Sequence, residues 1–142
     1  MGIMKTLLRW REEKEAQQLE AIDRGLRDCR LVQELNEARG AVVVFRNQLQ
    51  QIQRFQDSCS AQVPRLASEA GRFFEELDGS LQIWEARENL YSFLCDLTGD
   101  RMASPAEMLL TLARSHCLSP LVDYCETLSQ YFREQAELHS PD

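Results

Sequence analysis

Apolar side chains recur every three or four residues over much of the first half of the chain. Steps of this size keep side chains on one face of an α-helix, and no proline occurs before Pro64. We therefore predict one helix over about residues 4–57. The steps do not alternate strictly between three and four, which favours a helix in a bundle over a regular coiled coil. The series is Leu19, Ile22, Leu26, Cys29, Val32, Leu35, Ala38, Val42, Phe45, Leu49 and Ile52.

The sequence GAVVVF at 40–45 is the one stretch where a β-strand can be argued, because three valines stand in a row. Gly40 also weakens a helix by about 1 kcal/mol relative to alanine. The apolar series nevertheless runs through Val42 and Phe45, and the sequence offers no second strand to pair with this one. We predict that the segment is helical and buried on more than one side.

The rest of the chain is predicted to form three helices and a flexible tail, at about 64–98, 105–116, 120–138 and 139–142. Pro64 suits the first position of a helix, and Gly99 suits a left-handed C-cap. Ser104 and Glu107 have the spacing of a capping box. The sequence DGS at 78–80 is a turn signal inside the second helix, but the apolar spacing keeps its phase across it. We predict one helix there, with two separate helices as the alternative.

The predicted fold is all-α, in a single domain that spans residues 1–138. A first helix of this length extends roughly 75–80 Å at about 1.5 Å per residue. The second helix is expected to fold back antiparallel along it, so that the two form an elongated hairpin reaching the low twenties. The two shorter C-terminal helices are expected to thicken the N-terminal end of that hairpin into a bundle. The other end, around residues 41–55, is then left as a two-helix stalk.

We predict a partner-binding surface on this stalk, because its apolar side chains exceed what one facing helix can cover. Contiguous exposed apolar surface usually marks an interface. The expected partner is another helical protein or a second copy of the chain. The alternative is that the fourth helix covers the stalk, which the short connection before that helix disfavours. The predicted partner-binding residues are Val42, Val43, Phe45, Leu49, Ile52 and Phe55.

Charge and cysteine usage narrow the class of protein. The net charge of the 142 residues is −7, and residues 58–142 carry six arginines against fourteen acidic side chains. Such a chain repels phosphate backbones, so no nucleic acid is expected as a partner. Five cysteines form no CxxC pair, and the sequence contains no apolar run long enough to cross a bilayer. Reduced thiols in the cytoplasm, or in the nucleus, are the expected state.

The first residues, MGIMKT, match the pattern for N-myristoylation at Gly2. One acyl chain holds only marginally and needs a second signal, for which the basic residues Lys5, Arg9, Arg11 and Lys14 are candidates. The same residues resemble the start of an import peptide, but acidic residues from Glu12 onward argue against it. The favoured interpretation is that these residues are the first turns of the long helix, with Leu7, Leu8 and Trp10 packed into the thick end. Membrane attachment is expected only if Gly2 is acylated.

The sequence gives no sign of catalytic chemistry. It shows no paired carboxylates, no glycine-rich phosphate loop and no metal-ligand spacing, so we expect no catalytic residues, no metal and no cofactor. Ser140 precedes Pro141 in the tail and is a candidate phosphorylation site. The leading interpretation is a non-enzymatic helical adaptor or subunit of a larger complex, binding by coiled-coil-like helix packing. The alternative is a peripheral membrane protein anchored through Gly2 and the basic residues near it.

Overall fold

The structure is a computed structural model that describes residues 2–140. The described residues form six α-helices and one 3-10 turn: α1 (Gly2–Ser58), the turn (Ser60–Gln62), α2 (Val63–Gly71), α3 (Phe73–Glu76), α4 (Leu81–Thr98), α5 (Pro105–Arg114) and α6 (Ser119–His139).

The all-α prediction is confirmed, since residues 2–140 contain no β-strand and the valines at 42–44 lie within α1. Two local signals act as expected. The Ser104 side chain accepts from the Glu107 backbone N–H at 3.3 Å, and the Glu107 carboxylate accepts from the Ser104 N–H at 3.4 Å. Gly99 ends α4 with φ 71°, the left-handed conformation that glycine adopts without steric cost.

The single second helix of the sequence prediction is wrong, because the chain breaks between α3 and α4. Leu77 is extended, and Gly79 has φ 157°, which residues with a side chain rarely adopt. Hydrogen bonds hold the turn: the Gly79 N–H donates to the Asp78 carboxylate at 2.8 Å, and the Ser80 N–H donates to Glu34 Oε2 at 3.1 Å. The Glu34 bond fixes the place where the chain reverses along α1.

The predicted antiparallel hairpin exists over a shorter length than expected. Phe73 of α3 stacks on Phe45 of α1 with ring centroids 4.4 Å apart, and Phe74 meets the same ring edge-on at 5.6 Å. Because the reversal at Ser80 lies beside Glu34, the returning helices leave residues before 31 uncovered.

Helix α6 packs antiparallel along the same part of α1, which contradicts the expectation that the last helix lies at the other end. Gln53 donates to the Ser119 hydroxyl at 3.2 Å, at the start of α6. Further along, Arg46 lies 3.9 Å from Glu126. The contact between α6 and α1 is the most extensive between any two helices of the described chain.

Helices α4 and α5 complete the bundle. A Cβ atom added to Gly71 of α2 would lie 3.1 Å from the backbone nitrogen of Ala106, so α5 approaches α2 closely at this glycine. Phe93 of α4 stacks on Tyr124 of α6 with centroids 4.6 Å apart. All five later helices therefore gather around residues 31–58 of α1, which we call the core segment.

The thick end of the molecule is thus at the opposite end of α1 from the prediction. The break at 77–80 is the physical reason, since it turns the chain back before it can follow α1 any further. The expected packing of Leu7, Leu8 and Trp10 into a bundle is wrong for the same reason, and all three are exposed. Residues 2–30, which we call the exposed segment, contain no buried residue.

Candidate binding surfaces on the first helix

Four of the six residues predicted to bind a partner belong to the protein's own core. Helices α2, α3 and α6 cover them, so the expectation that they face a partner is corrected. The sequence argument failed at one step, because it set aside the possibility that the last helix reaches this part of α1. The four residues are Val42, Phe45, Leu49 and Ile52, each with no exposed surface.

The other two predicted residues lie at the edge of this core. Val43 is half-buried, and Phe55 is 37% exposed. Neither the structure nor any contact within it assigns them a partner, so their role stays a prediction. They no longer form part of a continuous apolar surface, because Phe45, Leu49 and Ile52, which lie between them in the sequence, are covered.

A regularly spaced, uncovered apolar series lies instead in the exposed segment. Leu19, Ile22 and Leu26 are 66%, 61% and 66% exposed, and Cys29 follows them at the same spacing and is also exposed. We call these four residues the seam. They belong to the apolar series of the sequence analysis, which placed them on the face that the bundle covers.

The seam points away from the core because the series rotates around α1. Each residue turns a helix by about 100°, so a step of three falls about 60° short of a full turn. Four such steps follow one another from Leu26 to Ala38 and move the series about 240° around the helix. The seam consequently lies about 140° from the face of Val42 and Ile52. The three- and four-residue spacing of the apolar side chains predicts a single apolar face on α1. The helix instead has two apolar faces, the exposed seam and the buried face of Val42 and Ile52.

Charges on either side of the seam balance one another. Residues 16–30 carry three acidic side chains and three arginines. Arg27 and Asp23 are joined at 2.9 Å, one turn apart on the helix. Exposed pairs of this kind contribute only about 0.2–0.5 kcal/mol each, and they leave the seam without a net charge of either sign.

Residues 3–10 present a second uncovered face, with a different charge environment. Five large apolar side chains are between 54% and 78% exposed there: Ile3, Met4, Leu7, Leu8 and Trp10. Residues 2–11 contain three basic side chains and no acidic one. Gly2 is exposed at the first described position of α1, where its carbonyl accepts from the Thr6 hydroxyl at 2.8 Å. Acylation of Gly2 stays a prediction.

A shallow groove of about 300 Å³ separates α4 from α6. Tyr124, Leu128 and Ala86 line it, and Gln82 crosses it to donate to the Tyr131 hydroxyl at 3.0 Å. Burial raises the pKa of Tyr124, so its phenol stays protonated at neutral pH. The groove therefore offers apolar surface, neutral hydrogen-bonding groups and one carboxylate, that of Glu85.

The cysteines divide by burial. Cys125 lies in the core, and desolvation raises the pKa of its thiol from 9.0 to about 12 in spite of the nearby Arg46. A thiol with such a pKa is not a nucleophile at neutral pH. Cys29 and Cys117 are exposed. Within residues 2–140 no three His, Cys, Asp or Glu side chains group as they would around a metal ion.

Ser140 is the last described residue and is exposed. It lies at the mouth of a shallow crevice that Arg39 and Arg133 also line, between the end of α6 and α1. Its phosphorylation stays a prediction.

In the described range, none of the helices combines the length and the apolar character needed to pass through a bilayer. No protein-family model, no curated protein and no solved structure matches the chain.

Proposed function

We propose that the chain is a non-enzymatic helical subunit or adaptor of a larger protein complex, and that it binds its partner along the seam. The observation that carries this proposal is the exposure of Leu19, Ile22 and Leu26 on the exposed segment of α1, which no other part of the described chain covers. Apolar surface of this extent, arranged in a line, is typical of an interface.

The spacing of the seam fits one partner helix. Its steps are three, four and three, which is the a and d pattern of a coiled coil over two heptads. An isolated helix is marginally stable in water, because most helical stability in proteins comes from packing an apolar face. A partner helix on the seam would supply that packing to residues that have none within the described chain.

The balanced charges beside the seam suit a partner helix that also carries both signs, such as another helical protein or a second copy of this chain. Because the bundle gathers around the core segment, the seam stands clear of it and is accessible from solvent. The cysteine composition favours the cytoplasm or the nucleus as the compartment.

The test replaces Leu19 and Leu26 together by glutamate. Its matched control replaces Leu81 and Leu138 by glutamate, since these are equally exposed leucines that lie on the bundle. Two measurements follow: the mass of the pure protein by light scattering, and the proteins that co-purify stoichiometrically from the native cell.

We expect the seam variant to lose self-association or its stoichiometric partner, and the control to keep it. Far-UV circular dichroism should show an intact bundle in both variants. A chain that is monomeric and has no stoichiometric partner would contradict the proposal, and so would equal loss in the control variant.

A further inference from the structure

We propose that residues 3–10 of α1 bind the surface of an anionic lipid bilayer, whether or not Gly2 is acylated. This inference concerns a different surface from the seam and does not depend on the proposed function. It rests on the width of the apolar face, on the sign of the charges around it and on the distance of the acidic bundle.

The apolar face of residues 3–10 is too wide for a single partner helix. At about 100° per residue, its five large side chains spread over an arc of about 160°. The narrow stripe of a coiled-coil seam covers much less of a helix. A bilayer surface covers a broad face, and amphipathic helices that lie in it commonly use tryptophan and leucine on the buried side.

The charges within residues 2–11 are of one sign, and the acidic residues Glu12, Glu13 and Glu15 follow in the next turn. Lys5 and Arg9 lie on the opposite side of the helix, and no acidic residue occurs before Glu12. Around the seam, acidic and basic side chains are equal in number. The positive end of α1 thus complements anionic headgroups, whereas the seam complements a helix of mixed charge.

The apolar face ends in two cations. Helical rotation brings Arg11 and Lys14 onto the same side as Leu7 and Trp10, one turn further along. The Nζ atom of Lys14 lies 4.8 Å from the centroid of the Trp10 ring. Arg11 Nε also lies 3.5 Å from Glu15 Oε1, so the charge of Arg11 is partly neutralised. With the apolar side chains at the acyl boundary, Lys14 lies at the depth of the phosphates. The helix then enters the surface obliquely, with residue 3 deepest.

The acidic part of the chain does not oppose this binding. Residues 58–142 carry eight more acidic than basic side chains. Those that the structure describes pack around the core segment, which begins about 32 Å along α1 from Trp10 at about 1.5 Å per residue. Charges separated by much more than about 8 Å are largely screened at physiological ionic strength.

The test uses Gly2→Ala protein throughout, so that no acyl chain can form, and vesicles of phosphatidylcholine with or without phosphatidylserine. We expect the protein to co-sediment with the phosphatidylserine vesicles and to dissociate as salt is raised. Replacing Lys5 and Arg9 by glutamine should weaken binding about thirtyfold, since each cation near an anionic surface contributes about a fivefold factor.

A second pair of variants examines the apolar face. Replacing Leu7 and Trp10 by glutamate should abolish co-sedimentation, whereas replacing Leu19 and Leu26 by glutamate should leave it unchanged. In a Trp84→Phe background, Trp10 is the one remaining tryptophan, and its emission should shift to the blue when phosphatidylserine vesicles are added.

Three results would overturn the proposal. The first is no co-sedimentation with either vesicle. The second is equal loss of binding in the Leu19 and Leu26 variant. The third is blue-shifted Trp10 emission without vesicles together with a dimeric mass that falls to monomer when Leu7 and Trp10 are replaced, which would show that a second copy covers the face.

Discussion

The exposed segment and the core segment are halves of one uninterrupted helix, and both carry apolar side chains every three or four residues. The core segment buries six of its side chains completely or almost so, from Leu35 to Ile52. The exposed segment buries none. Periodicity therefore identifies a face that can be buried, but not whether the chain itself supplies the helix that buries it.

The two halves of α1 differ in the direction in which their apolar faces point. Between Leu26 and Ala38 the series rotates away from one side of α1 and onto another, and the bundle gathers only on the second side. The two halves can therefore be compared experimentally by similar substitutions, one in the core and one in the exposed segment.

The largest expected contrast is in stability. Phe45→Ala should lower the free energy of unfolding by about 3–5 kcal/mol, because the ring is fully buried against Phe73 and Phe74. In the monomeric chain, Leu26→Ala should change it by less than about 0.5 kcal/mol, as is usual for an exposed position. Urea denaturation followed by circular dichroism measures both values. Similar losses in the two variants would mean that the exposed segment is packed.

The end of α4 and the start of α5 were predictable, because their signals are local. Gly99 and the pair Ser104 and Glu107 are recognised by residue types a few positions apart. The break at Gly79 carried an equally local signal, but the continuing apolar spacing outweighed it in the prediction. The spacing of apolar residues shows only at which angle around a helix axis they lie. Two short helices joined by a turn can keep the same angles as one long helix, so the spacing does not reveal the turn.

The place where α6 packs was not predictable from such signals. It depends on where the chain reverses, which the bond between Ser80 and Glu34 fixes across 46 residues of sequence. The sequence prediction places the reversal further along α1, which leaves Val42 and Phe45 for a partner and covers Leu19, whereas the structure buries the first two and exposes the third. The rotation of the apolar series between Leu26 and Ala38 was the signal in the sequence that would have separated the two faces.

Thiol chemistry gives the second contrast. In the monomeric chain, Cys29 of the exposed segment should react with a maleimide at neutral pH as fast as a thiol in an unfolded peptide. Cys125, which packs beside α1 in the core, should react at least about a hundredfold more slowly, because the reagent must wait for unfolding. Mass spectrometry of the labelled peptides gives both rates, and comparable rates would contradict the assignment of Cys125 to the core.

Cys125 also makes stability depend on alkaline pH. Its folded pKa of about 12 lies above the value of 9.0 for an unburied thiol. Below pH 9 the thiol is protonated in both states and its contribution to stability is complete. Between pH 9 and 12 the unfolded state loses its proton first, so stability falls as pH rises. Cys125→Ala should remove this part of the pH dependence of urea denaturation, and an unchanged profile would exclude the thiol as its source.

The smallest contrast comes from two glycines of α1. A Cβ atom at Gly25 or at Gly40 meets nothing within 4 Å, so alanine fits at both positions. Gly40→Ala should raise the free energy of global unfolding by up to about 1 kcal/mol, from helix propensity alone. Gly25→Ala should raise helicity and leave global unfolding unchanged, because its segment unfolds without disturbing the core. An equal gain in global stability from both substitutions would argue against independent unfolding of the exposed segment.

Amide hydrogen exchange of the monomeric chain in the absence of lipid tests the division of α1 most directly. Amides at 35–56 should exchange only when the whole bundle unfolds, whereas amides at 6–30 should exchange through local opening of a helix without tertiary packing. The account predicts a boundary in protection close to residue 31. Uniform protection from residue 6 to residue 56 would contradict it, because the exposed segment would then have to be part of the same cooperative unit as the core.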